Sequence, residues 1–242
     1  MATTETALQA IQQRIRLACE AAGRTAQSVR LIAVSKTFPA ADVRALAAAG
    51  QRAFGENYVQ EAIAKMAELH DLALEWHFIG PLQSNKTRAI AEQCNWVHSL
   101  DRLRIAQRLS DQRPLSMDSL RVLLQVNISG EASKSGCTPE ELPALAAAVA
   151  QLPRLQLLGL MTVPEPTPDV AVQRARFARL RQLRDSLQQQ LGLALPELSM
   201  GMSADLEAAI GEGATLVRVG TALFGARSYA PSSTSSEHKD PS

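Results

Sequence analysis

The sequence predicts an α/β protein folded as one closed barrel of eight parallel β/α units, a (β/α)8 or TIM barrel. Eight short runs rich in β-branched residues end in polar or glycine residues, and Ala/Leu-rich helical stretches separate them. The length of 242 residues suits one such barrel. An open doubly wound sheet is the main competing architecture, and the number of strands and the chain length favour closure.

Apolar periodicity predicts the individual elements. Short apolar runs predict strands over residues 29–36, 53–57, 76–80, 96–100, 122–128, 157–163, 198–203 and 216–220. A leading helix is predicted over 5–22, where Leu8, Ile11, Ile15 and Ala18 recur at helical spacing. Further helices are predicted over 40–49, 58–69, 84–93, 101–112, 140–152, 169–191 and 206–212.

Composition limits the class of protein. The net charge of +1 gives no reason to expect nucleic acid or an anionic membrane as a partner. Cys19, Cys94 and Cys137 form no CxxC pair, which predicts free thiols in a reducing cytoplasm and no zinc site. Neither a secretory signal nor a membrane span is expected, since no run of 18 apolar residues occurs.

One domain and a tail are predicted. No break in composition divides residues 1–228, which are expected to form the barrel with its leading helix. Residues 229–242 are rich in serine and charge and lack apolar periodicity, which predicts a disordered tail.

Lys36 is the first candidate functional residue, because functional side chains in this fold lie at the carboxyl ends of strands. The two-residue period of a strand places it on the same face as Ile32 and Val34. If that face points into the barrel, partial desolvation favours the neutral amine, which attacks aldehydes. A lysine that simply extends to solvent from a strand end is the alternative.

The other lysines compete poorly with Lys36. Lys65 lies in the middle of a predicted helix and is expected to be solvated, and Lys86 stands near the start of the next helix. Lys134 falls in a Gly/Ser loop, and Lys239 falls in the tail.

A phosphate site is predicted after the seventh and eighth strands, the usual phosphate loops of this architecture. Ser203 offers a hydroxyl just ahead of a helix, where backbone N–H groups favour an anion. Gly220 allows close approach of the backbone, and Thr221 adds another hydroxyl. Taken singly, Ser203 or Asp205 is only a helix cap and Gly220 only a turn. Together, at the expected strands, they indicate a phosphate site.

Arg218 lies inside an apolar strand, so its charge needs a partner. A carboxylate, the phosphate or a ring nitrogen would serve. A guanidinium only donates, so a pyridine nitrogen facing it must be unprotonated. Such a ring is a weaker electron sink.

Other polar residues near strand ends are less specific. Asn57 either bonds a cofactor hydroxyl or caps the next helix. His77, between Trp76 and Phe78, is expected to be a satisfied core residue and not a catalyst. No GxGxxG, P-loop, HExxH or GxSxG motif occurs.

Six motifs in order resemble the pyridoxal phosphate homeostasis proteins, the YggS/PROSC family. They are LIAVSK (31–36), AFGENYVQE (53–61), WHFIGPLQSNK (76–86), GLMTV (159–163), MGMSADLEAAI (200–210) and VRVGTALFG (217–225). The resemblance covers nearly the whole chain apart from the tail.

The resemblance implies a cytoplasmic, monomeric barrel of the alanine racemase N-terminal domain type (fold type III). It implies that pyridoxal 5′-phosphate (PLP) is held as a reversible Schiff base on Lys36. The other implied cofactor contacts are Ser203, Gly220 and Thr221 at the phosphate, Arg218 at the pyridine nitrogen, and Asn57 in the pocket. The implied role is homeostasis of PLP (vitamin B6), with PLP-dependent apoenzymes as candidate recipients, no committed reaction and no catalytic residue.

Two alternatives to this role stay open. An amino-acid racemase needs a base on each face of the carbanion, and alanine racemase takes the second from a tyrosine in an all-β domain not expected here. Tyr58 and Tyr229 are the only tyrosines. A regulatory protein that responds to PLP would bind its partner through the tail or residues 169–191, whose arginines more often form a solvated face.

Overall fold

A computed structural model describes residues 4–131 and 135–225. In it, eight parallel strands pair in the order of the sequence and close into a barrel. The closed barrel confirms the predicted fold over an open sheet. The strands are β1 (Arg30–Val34), β2 (Ala53–Glu56), β3 (Glu75–Phe78), β4 (Trp96–Leu100), β5 (Leu120–Gln125), β6 (Leu155–Met161), β7 (Glu197–Ser199) and β8 (Leu216–Val219).

Helices follow the strands and form the outer layer. They are α1 (Thr4–Ala21), α2 (Ala40–Ala48), α3 (Val59–Glu68), α4 (Thr87–Gln93), α5 (Leu103–Gln112), α6 (Leu142–Ala150), α7 (Val170–Leu191), α8 (Leu206–Gly211) and α9 (Thr221–Phe224). Short 3₁₀ turns occupy Ala26–Ser28 and Ser84–Lys86. The leading helix α1 buries the predicted apolar stripe and contacts α8 and α9.

The seventh strand ends earlier than the predicted 198–203, because the chain turns at Gly201. Gly201 has a φ of +91°, which favours glycine, and a Cβ there would lie 2.5 Å from the Cβ of Ala209. The turn carries residues 202–205 over the end of the barrel.

The fifth and sixth strands begin and end two or more residues before the predicted 122–128 and 157–163. Beyond Gln125 the Val126 N–H still donates to the Met161 carbonyl of β6, and Val126 also forms an isolated bridge with Cys137 in the following loop. The apolar run therefore extends beyond the last residue of β5, because Val126 is buried as well.

The barrel interior is filled by side chains from six of the strands: Ile32, Ala53, Trp96, Leu123, Met161 and Leu216. Ile32 of β1 therefore points inward. The face that Ile32 shares with Lys36 is the inner face, which is the condition for placing an amine in the mouth of the barrel.

Several sequence-based predictions lie outside the described residues: the tail 229–242, Tyr229, Lys134 and Lys239. The helices that the structure describes include none with the combined length and apolarity needed to cross a membrane.

Candidate functional site

A cavity of about 320 Å³ opens at the carboxyl ends of the strands. All six of the predicted cofactor contacts line it: Lys36, Asn57, Ser203, Arg218, Gly220 and Thr221. They come from three regions, namely the ends of β1 and β2 and the segment from β7 to α9. Barrel closure therefore brings the predicted residues into one site.

The rest of the described cavity wall is apolar and, apart from Val34, was not predicted. It consists of Val34, Phe38, Ile79, Val163, Met202 and Ala204. Phe38 stacks on Phe224 with ring centroids 4.8 Å apart, which fixes one side of the mouth. Strand periodicity placed Val34 on the face that it shares with Lys36. Phe38, Val163, Met202 and Ala204 lie in loops whose paths the sequence pattern does not determine.

The backbone changes conformation directly after Lys36. Thr37 has a φ of +68°, an uncommon value for a β-branched residue. Its N–H donates to a carboxylate oxygen of Glu61, which lies on the neighbouring helix α3. This hydrogen bond stabilises the turn. The segment that carries Lys36 is thus held by a side chain outside β1.

Lys65 is buried, and the expectation that it is solvated was wrong. Its side chain is 5% exposed, and its ammonium donates to three oxygens, each at 2.6 Å. The acceptors are the Ser35 carbonyl, Glu56 Oε1 and Glu61 Oε1. The Ser35 hydroxyl also donates to Glu56 Oε1 at 2.6 Å. The helical pattern gave no sign of this, because α3 turns Lys65 toward a carboxylate at the end of β2.

We call Lys65, Glu56, Glu61 and Ser35 the Lys65 cluster. It bonds the residues on both sides of Lys36, through the Ser35 carbonyl and through Glu61, which accepts the Thr37 N–H. Burial raises the pKa of Glu56, while hydrogen bonds from Lys65 and Ser35 act in the opposite direction.

The predicted phosphate residues follow two adjacent strands: Ser203 lies in the loop after β7, Gly220 follows β8, and Thr221 begins α9. Arg14 of α1 donates to the Ser203 carbonyl at 3.0 Å. Asp205 stands at the N-cap of α8, but its side chain makes no capping bond. Its carboxylate instead accepts the Met202 N–H at 2.6 Å and shapes the loop. A Cβ at Gly220 would approach the Val34 carbonyl to 3.2 Å, so glycine permits close contact between β8 and β1.

Arg218 is buried at 4% exposure and reaches the cavity from β8. Its guanidinium donates to the Ser199 hydroxyl at 2.6 Å and to the Thr162 carbonyl at 2.9 Å. No carboxylate among the described residues lies within ion-pair distance of it. Burial lowers the pKa of Arg218 to about 10, and the charge of Asp205 opposes that shift. Arg218 therefore stays charged at neutral pH with uncharged partners.

Asn57 lines the cavity and does not cap the following helix. Helix α3 begins at Val59, with Tyr58 at its N-cap and no side-chain capping bond. The Asn57 amide oxygen is buried and has no hydrogen-bond partner among the described residues. A buried unsatisfied acceptor is costly, which suits a ligand that brings a hydroxyl donor.

His77 is a satisfied core residue, as expected, and it pairs with His98. Both rings are buried, and Nδ1 of His77 lies 2.9 Å from Nε2 of His98. Burial lowers the pKa of His77 to about 4 and that of His98 well below its ordinary value. Both rings are neutral at pH 7. Neither residue is part of the described cavity wall.

The cavity offers a distinct set of chemical groups. It combines a primary amine, a buried guanidinium, two hydroxyls, an unsatisfied amide oxygen and apolar walls. Such a set suits a small, planar, anionic ligand with a carbonyl that condenses with the amine. In the described part of the chain, no three His, Cys, Asp or Glu residues are arranged to hold a metal ion.

Comparison with known proteins gives a consistent picture. A family model described as the alanine racemase N-terminal domain matches residues 6–228. The pyridoxal phosphate homeostasis protein of Pseudomonas aeruginosa PAO1 is 64% identical over 234 residues, covering 96% of this chain and 100% of that protein. The protein of the same name from Escherichia coli K12 is 50% identical over 227 residues, covering 90% and 94% of the two chains.

Solved structures agree with the fold. PipY of Synechococcus elongatus PCC7942, solved with PLP bound, has a TM-score of 0.77 and 48% identity, covering 82% of this chain and 93% of that one. Alanine racemase from Corynebacterium glutamicum has a TM-score of 0.66 at 20% identity, covering 91% and 62%. The second likeness shows a shared fold only.

Replacing Lys65 by methionine tests the Lys65 cluster. We expect the free energy of unfolding to fall by about 3 kcal/mol, because Glu56 and Glu61 lose the cation that compensates their burial. Denaturant titration followed by circular dichroism measures this. Lys86→Met removes a half-buried lysine outside the cluster and should change the value by less than about 0.5 kcal/mol. Equal stability of Lys65→Met and wild type would contradict the assigned role.

The two buried histidines predict a pH dependence of stability. Their folded pKa values lie below the ordinary 6.5, so below that pH the unfolded chain binds protons that the folded chain does not. The free energy of unfolding should therefore fall as pH decreases from 6.5, by about 2 kcal/mol for each histidine at about pH 5. Denaturant titrations at pH 7 and pH 5 measure it. His70→Gln changes an exposed histidine and should leave the difference intact. No difference in wild type would show that burial does not lower the pKa values of His77 and His98.

Proposed function

Because this chain belongs to the family of pyridoxal phosphate homeostasis proteins, we propose that it binds PLP in this cavity as a reversible Schiff base on Lys36. The observation that carries the proposal is the convergence of Lys36, Arg218 and the two hydroxyl residues Ser203 and Thr221 on one cavity. The PLP-bound relative PipY supports it.

The residues of the cavity fit the groups of PLP. PLP supplies an aldehyde that condenses with a primary amine and releases water. Lys36 provides the amine. Ser203 and Thr221 would donate to the phosphate, with Gly220 leaving room for it. The unsatisfied amide oxygen of Asn57 would accept a hydrogen bond from the ring hydroxyl.

Arg218 would hold the pyridine nitrogen. A guanidinium has no lone pair to accept with, so the nitrogen must accept and stay unprotonated. An unprotonated ring withdraws electrons weakly, which disfavours carbanion chemistry. The identity of this one residue therefore favours holding the cofactor over using it.

The role that we propose is control of free PLP, a reactive aldehyde, and not a committed reaction. None of the described cavity residues carries a carboxylate, imidazole, thiol or phenol that would serve as a second base beside Lys36. Tyr58 is 54% exposed and lies outside the described cavity wall. The curated relatives are named for homeostasis and not for a reaction.

The setting that we propose is a monomer in a reducing cytoplasm. The three cysteines are free and buried, which suits a reducing compartment. Release of PLP to apoenzymes is one form of the proposed role, and transfer measured against free diffusion tests it.

Replacing Lys36 by alanine tests the covalent link. Wild-type protein mixed with PLP should show the visible absorption band of an imine, and borohydride should fix the label on the peptide that contains Lys36. Lys36→Ala should lack both signals because the amine is gone. Lys86→Ala, which removes a lysine outside the cavity wall, should keep both. A band that persists in Lys36→Ala, with the label on another lysine, would refute the assignment.

Replacing Ser203 by alanine tests the phosphate contact. Wild type should bind PLP more tightly than pyridoxal, which lacks the phosphate. Ser203→Ala should reduce that preference about tenfold, because a hydrogen bond to an anionic group is lost. Ser129→Ala, in the loop after β5, is the control. If Ser203→Ala weakened the binding of PLP and of pyridoxal equally, the phosphate would lie elsewhere.

The racemase alternative has its own test. Robust formation of D-amino acids from L-amino acids by the wild-type protein would favour a racemase.

A further inference from the structure

A continuous chain of hydrogen bonds runs through the barrel from Arg218 at the cavity to Glu75 at the opposite end. Arg218 Nη1 lies 2.6 Å from Ser199 Oγ, and Ser199 Oγ lies 2.8 Å from His98 Nδ1. His98 Nε2 lies 2.9 Å from His77 Nδ1. His77 Nε2 lies 2.8 Å from Glu75 Oε1. Four strands, β3, β4, β7 and β8, contribute to it.

The two ends of the chain determine the direction of every hydrogen bond. Arg218 can only donate, so Ser199 Oγ accepts from it and gives its single proton to His98 Nδ1. His98 must then carry its own proton on Nε2 and donate to His77 Nδ1. His77 in turn carries its proton on Nε2 and donates to Glu75. The Glu75 carboxylate accepts, so the assignment is consistent at both ends.

The far end of the chain is firmly anchored. Glu75 accepts from Arg30 at 2.7 Å and from Arg121 at 3.1 Å. Burial would raise the pKa of Glu75, but the hydrogen bond from His77 and the charge of Arg30 outweigh it and lower the pKa to about 2. Glu75 is thus ionised and acts only as an acceptor. Trp96 stacks on His77 at a ring distance of 5.4 Å and an interplanar angle of 13°, which fixes the ring plane.

A reversed or broken chain is strongly disfavoured. An added proton on His77 would point an N–H at the N–H of His98, in a buried site where neither group has another described partner. The near end is equally constrained, because the second Arg218 nitrogen donates to the Thr162 carbonyl. Arg218 therefore has one orientation, set from within the barrel.

We propose that Ser199, His98, His77 and Glu75 are positioning residues that hold Arg218 in one orientation at the cavity, where its guanidinium donates to the ring nitrogen of the cofactor. The cofactor part of this inference rests on the proposed function, whereas the proton positions do not. In this chain of hydrogen bonds, the ionised Glu75 fixes the proton positions of both histidines. Ser199 Oγ is thereby left as an acceptor for Arg218.

The proton positions are tested in wild-type protein without PLP. Long-range ¹H–¹⁵N spectra of protein labelled at histidine should show His77 and His98 as neutral rings, each protonated at Nε2 and unprotonated at Nδ1, at pH 7. A ring protonated at Nδ1, or an imidazolium, at either residue would contradict the proposed chain of hydrogen bonds. This measurement needs neither a variant nor the cofactor, and it decides the chain even if the cavity binds another ligand.

The positioning role is tested by a pair of substitutions at His98. His98→Asn keeps an acceptor near the place of Nδ1, whereas His98→Leu removes it. We expect His98→Leu to weaken PLP binding about tenfold and to shift the imine band, and His98→Asn to stay within about threefold of wild type. Equal binding and an unchanged band in His98→Leu would overturn the proposal.

Ser199→Ala provides a second test, with Ser99→Ala as its matched control. Both remove a buried serine hydroxyl, but Ser99 donates to the Gly80 carbonyl and lies outside the chain. Only Ser199→Ala should change the ¹⁵N signals of His98 and the affinity for PLP. Identical behaviour of the two variants would overturn the proposal. A wild-type protein with the expected histidine signals but no imine band would refute the proposed function and leave the chain upheld.

Discussion

The pairing of β8 with β1 is the interaction on which the site depends. The register aligns Ile32 with Arg218 and Ala33 with Val219, so both strands present their inner faces to the same space. Lys36 follows one of these strands, and Gly220 and Thr221 follow the other. Glycine at 220 allows the contact, because any larger residue would press on the carbonyl of Val34. Without closure, the amine and the phosphate loops would lie at opposite edges of an open sheet.

Two groups of buried polar side chains in this protein are stabilised in different ways. The Lys65 cluster neutralises a buried ammonium with carboxylates, outside the barrel and close to the first strand. Inside the barrel, two neutral histidines carry hydrogen bonds instead, because an unpaired charge there would be far more costly. Arg218 is the exception, since it keeps its charge among uncharged partners. A bound acceptor adds to the stabilisation of that charge, which is a physical reason for the cavity to hold an electron-rich ligand.

Much of the candidate site could be predicted because strand ends are local features. Lys36 ends an apolar run, and Ser203 and Gly220 follow two others, so a rule about strand ends located them before any contact was known. Lys65 could not be found in this way, because a lysine in a helix usually points to solvent. Whether α3 turns it inward depends on Glu56, which lies on a different element. The ends of the strands were predicted less well where apolar residues continue beyond the end of the strand, as at Val126.

The sequence by itself determined the order of the elements and the residues at the strand ends, because periodicity is a local property. The number of strands and the chain length only favoured a barrel over an open sheet, and the pairing of β8 with β1 decided it. The tertiary structure decided which of these residues meet. It also decided that Ser199, His98 and His77 line up between Arg218 and Glu75, since that alignment needs the register of four strands at once. Lys36 was visible from its own strand. The Lys65 cluster and the hydrogen bonds to Arg218 could not be seen from the sequence. They join residues of different elements, and only packing brings those residues together.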